Sequence, residues 1–174
     1  MAVNRKRILI LGVGNVLFTD EGVGVRAAMD LEREFEFTDN ITVMDGGTLG
    51  TKLMGPIMES DLLIVIDAVL GDGQPGDIYH LTGEDLRKSL AFKNSLHQTD
   101  LVDTLIYCEL AGHRPEAIII GMEPHDYKTM STGLSEKAES CLPTLKEAVL
   151  KEIGKWGGTA IRRSVTLPDE SPFI

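Results

Sequence analysis

The chain alternates between short, continuous apolar runs and longer segments in which apolar residues recur at helical spacing. Five runs predict strands, because they are short, rich in β-forming residues and bounded by turn-forming residues. Residues 62–66 are apolar throughout, which is typical of a strand buried on both faces of a parallel sheet. The predicted strands are 8–11, 41–44, 61–69, 77–81 and 117–121, the fourth of them antiparallel at an edge.

Segments with helical periodicity lie between these strands. Strands that alternate with helices predict a single α/β domain over residues 1–156, in which a mainly parallel sheet lies between helices on both faces. The apolar stripe of the last helix is typical of a core-facing surface rather than a ligand site. We expect residues 157–174 to form a loosely ordered tail. The predicted helices are 21–35, 49–59 with an interruption or bend at Gly55-Pro56, 100–111 and 135–156.

Composition narrows the class of partner. The 174 residues are 43% hydrophobic and carry a net charge of −10, which suits one domain with a substantial core. An acidic surface repels phosphate, so nucleic acid and anionic membranes are disfavoured as partners. Cys108 and Cys141 form no CxxC motif, so we expect buried free thiols in a reducing cytoplasm. We expect a monomer.

A glycine-containing loop follows the first predicted strand. Gly12 and Gly14 end that strand, and Thr19 or Asp20 is expected to cap the helix that follows. The next residue, Glu21, is then placed at the carboxyl edge of the sheet, where open α/β sheets bind ligands. Two further glycines, at positions 22 and 24, each cost about 1 kcal/mol in a helix interior. They indicate either close packing of the helix on the sheet or the close approach of a ligand.

One interpretation of this loop is dinucleotide binding. Gly12 and Gly14 follow a strand, and Asp45 ends the second strand, where an acidic residue that binds ribose would lie. The pattern fails at the third glycine, where the chain has Leu17. A dinucleotide-binding module therefore remains the weaker alternative.

A second interpretation is a metal site. Glu21 follows the first strand, Asp67 interrupts the apolar third strand, and His97 precedes the helix predicted at 100–111. A buried acid needs a partner charge, a metal ion or a proton, and two carboxylates with one imidazole suit a borderline divalent ion such as Zn²⁺ or Ni²⁺. The alternatives are that Asp67 caps a turn and that His97 caps the helix.

Together these segments make the chain resemble the maturation endopeptidases of nickel–iron hydrogenases. The motifs occur in the family's order over about residues 7–150, and the set is more specific than any one of them. The matching segments are Gly12-Val13-Gly14-Asn15, Thr19-Asp20-Glu21-Gly22-Val23-Gly24-Val25, Asp45-Gly46-Gly47-Thr48, Ile66-Asp67-Ala68, His97-Gln98 with Leu101 and Asp103, and Gly133-Leu134-Ser135.

The resemblance implies a three-layer α/β/α domain with a twisted, mainly parallel five-stranded sheet. It implies an endopeptidase that removes a short C-terminal extension from the hydrogenase large subunit after nickel has been inserted. Glu21, Asp67 and His97 are the implied metal-contacting and catalytic residues, and the family has either Glu or Asp at the first position. Nickel is expected to arrive in the substrate, and zinc or cadmium can occupy the same ligands.

The chemical step expected from the resemblance is a metal- or carboxylate-assisted hydrolysis. Glu21 and Asp67 are then the charged participants and His97 is a ligand. Asp45 and Thr48 are expected to shape the cleft beside the site. A third possibility is a nickel- or precursor-binding chaperone that escorts the precursor without cleaving it.

Overall fold

A five-stranded sheet forms the centre of the protein. The computed structural model describes residues 5–47, 51–83 and 96–170, with the side chains of 51 and 96–101 outside that description. The strands of the sheet are β1 (Ile8–Val13), β3 (Ile41–Gly47), β4 (Leu62–Ala68), β5 (Ile78–Thr82) and β6 (Glu116–Met122). Their order is β3-β1-β4-β6-β5.

The strand directions follow the sequence pattern. β1 pairs in parallel with β3 and β4, β4 pairs in parallel with β6, and β5 pairs antiparallel to β6 at the edge. The predicted parallel sheet with an antiparallel edge strand is therefore confirmed. Along β1 and β4, successive side chains enter two separate hydrophobic clusters on opposite faces of the sheet. This explains why their sequences are apolar without alternation.

Helices cover both faces of the sheet. They are α1 (Val23–Glu34), α2 (Met54–Met58), α3 (Leu96–Leu110) and α4 (Glu136–Lys155). Apolar side chains of α1 and α4 pack in one hydrophobic cluster, and Ile57 of α2 packs with Leu105 and Cys108 of α3 in the other. The expected three-layer α/β/α arrangement is confirmed. No helix among the described residues is long and apolar enough to cross a bilayer.

Some predicted element boundaries were wrong. A 3-10 turn, Thr51–Leu53, precedes α2, and Gly55 and Pro56 lie inside that short helix instead of interrupting it. Proline is tolerated there because the first turn of a helix does not need its N–H groups. The third helix begins at Leu96, so His97 lies within the helix and not before it.

The last long helix agrees with its predicted boundaries. Ser135 is the N-cap of α4, and its Oγ accepts a hydrogen bond from the Ala138 backbone N at 3.2 Å. The predicted stripe of α4 packs in the core, as expected. Its buried members are Ala138, Leu142, Leu145, Val149 and Ile153, with Cys141 and Trp156 partly buried beside them.

The segment after α4 is more ordered than predicted. β7 (Ala160–Arg162) pairs antiparallel with β2 (Phe35–Phe37), which follows α1 directly. The Arg33 side chain also donates to the carbonyl oxygen of Leu167 at 3.0 Å. The expectation of a loosely ordered tail is therefore wrong for residues 160–162. Each of these two strands is three residues long, so neither carries a recognisable pattern without the other.

Candidate active site

Glu21 lies at the carboxyl edge of the sheet. After β1 the chain passes through a loop into a 3-10 turn, Thr19–Gly22, and α1 begins at Val23. Neither Thr19 nor Asp20 makes a side-chain capping bond to these helices, so the capping prediction was wrong. Glu21 is partly buried in this turn, as expected for a residue placed at the mouth of the sheet.

Two glycines allow the loop and α1 to pack tightly around this point. A Cβ at Gly24 would collide with the carbonyl oxygens of Ile66 and Val13. Gly14 has a φ of +144°, and a Cβ there would collide with the carbonyl oxygen of Glu21. The backbone of the Glu21 turn is therefore held against β1 and β4. At Gly24, close packing of the helix on the sheet accounts for the glycine.

Asp67 is buried beside this turn. It lies near the end of β4 with 1% of its surface exposed. Burial raises the pKa of Asp67 well above its ordinary value, a backbone hydrogen bond from Ala68 opposes this, and the nearby Glu21 charge raises the pKa further. The structure thus brings together two of the three predicted site residues. Two adjacent carboxyl groups, one of them out of contact with water, favour a bound proton or cation.

The third predicted residue is only partly described. His97 is the second residue of α3, and its side chain lies outside the described residues. Among the described residues there is no group of three or more His, Cys, Asp or Glu side chains arranged to hold a metal ion. The ligand set Glu21, Asp67 and His97 therefore stays a prediction.

A cavity of about 300 Å³ adjoins the loop after β1. Asp45 lies at its rim, where its Oδ1 accepts a hydrogen bond from the Gly47 backbone N at 2.7 Å. Gly47 has a φ of +50°, which favours glycine. Thr48, the other residue expected to shape this cleft, lies outside the described residues. The cavity is lined by Gly14, Asn15, Val16, Leu17, Val25, Asp45 and Gly47.

The contacts of two buried acids at this edge of the sheet were not predicted from the sequence. Asp20 has 0% exposure, and its carboxylate holds the loop that precedes α4. Glu123 accepts a hydrogen bond from the Tyr79 hydroxyl at 2.7 Å and another from the Gly71 backbone N. Burial and the Glu123 hydrogen bond raise the pKa of Tyr79 to about 12. Both acids bind groups far away in the chain, and local sequence patterns carry no signal for such contacts.

Two of the other histidines form hydrogen bonds within the fold. His80 shares a 2.9 Å hydrogen bond with the buried Glu152 carboxylate, and His113 shares one with the carbonyl oxygen of Ser60. The His125 side chain is exposed. Cys108 and Cys141 are free thiols, the first buried and the second partly buried.

Comparison with known proteins identifies the class to which this fold and site belong. Residues 25–152 match the family model described as hydrogenase maturation protease. The hydrogenase expression/formation protein HupD of Rhizobium leguminosarum bv. viciae is 37% identical over 87% of this chain and 76% of its own. The hydrogenase 2 maturation protease of Escherichia coli is 35% identical over 90% of this chain and 96% of its own.

A solved structure agrees with this match. The hydrogenase maturating endopeptidase HybD from E. coli has a TM-score of 0.85 and 36% identity, covering 91% of this chain and 98% of its own. The chain therefore belongs to the hydrogenase maturation protease family. This assignment favours an endopeptidase over the dinucleotide-binding module considered above.

Proposed function

We propose that this protease removes the C-terminal extension from the nickel-loaded large subunit of a nickel–iron hydrogenase. Membership of the maturation protease family supports the reaction class. The observation that carries the proposal is the juxtaposition of Glu21 with the buried Asp67 at the carboxyl edge of the sheet. In open α/β sheets this edge is where ligands bind.

We propose His97 as the third ligand. Asp67 lies on the same face of β4 as Leu63 and Val65, whose side chains pack in the cluster shared with α2 and α3. His113, just after α3, shares a 2.8 Å hydrogen bond with the carbonyl oxygen of Ser60 before β4. The end of α3 therefore lies near the start of β4. We infer that α3 runs antiparallel to β4, which would bring His97, at the start of the helix, toward the end of the strand that carries Asp67. These relationships support convergence of the three residues.

The donor set fits nickel carried by the substrate. Two carboxylates and one imidazole suit a borderline divalent ion, and zinc or cadmium would fit the same ligands. Binding through these groups would make affinity depend on whether the precursor's metal centre is filled. Nickel would then act as the specificity determinant, because loaded and empty precursors would bind with different free energies.

Hydrolysis requires an attack of water oxygen on the scissile carbonyl carbon, a base for the water proton and a proton for the departing amine. We assign the proton exchange to Glu21, because it is partly exposed to solvent whereas Asp67 is buried. A nearby divalent ion lowers the pKa of water or polarises the carbonyl. The free cysteines support a reducing compartment, and we propose a cytoplasmic monomer.

The test is a processing assay on purified components. Nickel-loaded and nickel-free large-subunit precursors are incubated with the protein, and mass spectrometry measures release of the C-terminal peptide. We expect release from the nickel-loaded precursor alone. Binding without release would favour the precursor-binding chaperone, and affinity for NAD would favour the dinucleotide-binding module.

Three variants test the assigned residues. Glu21→Gln, Asp67→Asn and His97→Ala should each abolish release while the protein stays folded. His80→Ala is the matched control, because His80 is bonded to Glu152 on α4 rather than placed at this edge. Processing that survives loss of all three side chains would contradict the assigned site.

A further inference from the structure

The residue before Glu21 is a fully buried acid with four hydrogen bonds to a distant loop. Oδ2 of Asp20 accepts from the backbone N of His125 and of Asp126, both at 2.9 Å, and from Ser135 Oγ at 2.8 Å. Oδ1 accepts from the Ser135 backbone N at 2.8 Å. Asp20 is 0% exposed. One carboxylate thus holds both ends of the segment between β6 and α4.

The position of Asp20 explains how an acidic side chain is accommodated in the interior. Ser135 is the N-cap of α4, so Asp20 lies at the positive end of a helix of 20 residues. Hydrogen bonds from backbone N–H groups to an ionised carboxylate are short and strong. The two oxygens of Asp20 therefore match the four donors around them, and an amide would not replace the carboxyl group.

Further hydrogen bonds join the turn over residues 19–22 to the loop before α4. Thr19 has a φ of +46°, rare for a residue with a branched side chain. Its Oγ1 donates to the carbonyl oxygen of Thr129 at 2.7 Å, and its backbone N donates to that of Ser131 at 3.0 Å. Asp20 N donates to the carbonyl oxygen of Asp126 at 2.9 Å. The loop over 126–135 thus holds the turn that carries Glu21 in a strained conformation.

We propose that Asp20 is a positioning residue for Glu21, which fixes the direction of the Glu21 carboxylate by holding this turn against the loop over 126–135. This inference rests on the proposed function, because it assigns Asp20 to the same reaction. Asp20 itself faces the loop and the start of α4, so it acts through Glu21 and not on the substrate.

Asp20→Asn is the main test. An amide places N–H donors against the donors of His125, Asp126 or Ser135, so at least one contact must break and the turn is released. We expect kcat for precursor processing to fall by about 10- to 100-fold, as for other groups that orient a ligand, with KM little changed. Ser135→Ala removes the Oγ contact to Asp20 together with the capping bond from Ala138 N, but it keeps the contact from the Ser135 backbone N, so it should give an intermediate loss of kcat.

Asp30→Asn is the matched control. Asp30 is also a buried aspartate, one element further along the chain, but it pairs with Arg26 and Arg33 of α1 and with Lys146 of α4. We expect this variant to change thermal stability while leaving kcat within about twofold of wild type at a temperature where it is folded.

A second measurement reports the position of Glu21 without processing. In the free protein, the NMR signal of the Glu21 carboxyl carbon should shift or broaden in Asp20→Asn and remain unchanged in Asp30→Asn. Equal kcat and an unmoved Glu21 signal in Asp20→Asn would overturn the positioning role even if wild type processes normally. A wild-type protein that fails to process the precursor, with a Glu21 signal that still depends on Asp20, would instead overturn the proposed function alone.

Discussion

The carboxyl groups of Glu21 and Asp67 come from different elements and lie close enough for the Glu21 charge to act on Asp67. Burial raises the pKa of Asp67 well above its ordinary value, and the Glu21 charge adds to that effect. A protein selected only for stability would avoid such a pair. We therefore expect Asp67 to be needed for processing of the precursor and not for the stability of the fold.

Asp67→Asn tests this expectation. We expect its free energy of unfolding at pH 7 to equal or exceed that of wild type, because the amide removes a buried ionisable acid of similar size. Processing should fall by at least about 100-fold, as is typical when a preorganised polar group is lost. Urea denaturation and the precursor assay measure the two effects. A large loss of stability would instead indicate that Asp67 holds the fold together.

Gly24→Ala should destabilise the protein by about 1–3 kcal/mol, because the added methyl group collides with the backbone of β1 and β4. Urea denaturation is the measurement. Gly154→Ala is the control, since Gly154 lies in α4 and a methyl group added there would extend into open space. There alanine should stabilise by up to about 1 kcal/mol. Equal effects at the two positions would refute close packing as the reason for Gly24.

Asp45→Ala should lower kcat/KM for the precursor and leave the hydrophobic core intact. Losing the 2.7 Å hydrogen bond to Gly47 N releases the strand end beside the cavity. One such bond contributes about 1 kcal/mol, or roughly a fivefold lower kcat/KM. Asp45→Asn retains an acceptor oxygen and should process close to the wild-type rate. Unchanged processing and stability in Asp45→Ala would remove Asp45 from the cleft.

Glu152→Gln should change how stability depends on pH. Burial raises the pKa of Glu152, but hydrogen bonds from His80, Trp156 and Lys155 outweigh it and hold the pKa below the ordinary 4.5. A lowered carboxyl pKa stabilises the fold above the unfolded-state value, and this contribution is lost as pH falls through the folded-state value. At pH 7 the variant should be about 1–2 kcal/mol less stable.

The difference in the free energy of unfolding between wild type and Glu152→Gln should then become smaller below pH 4.5. Denaturation at several pH values measures it. Glu147→Gln, on an exposed position of the same helix, should lie within about 0.5 kcal/mol of wild type throughout. A gap that persists at low pH would show that packing, and not charge, accounts for the effect.

Elements with strong local patterns were predictable from the sequence. The apolar run at 62–66 predicted β4 because both faces of that strand are buried. The apolar stripe of α4 predicted that helix within a residue at each end. β2 and β7 escaped prediction because each needs the other as a hydrogen-bonding partner. Pairing over that distance in the chain leaves no periodic signal.

The placement of two of the three candidate site residues was predictable to a similar extent, while their roles stay predictions. Glu21 and Asp67 stood out as acids at strand ends, and parallel topology was enough to bring them to one edge. Asp20 was assigned a capping role because its neighbours resemble a helix start. In the structure its partners lie beyond residue 124, and only the folded chain brings them within reach.

The strand order also constrains folding during synthesis. Among the residues that the structure describes, β5 pairs in the central sheet with β6 alone. Residues 78–82 leave the ribosome well before residues 116–122 can bind them. Until then β4 also presents an open edge to the crowded interior of the cell, where nascent chains aggregate through such edges. We expect chaperones that shield extended apolar segments to matter most while residues 83–115 are being translated.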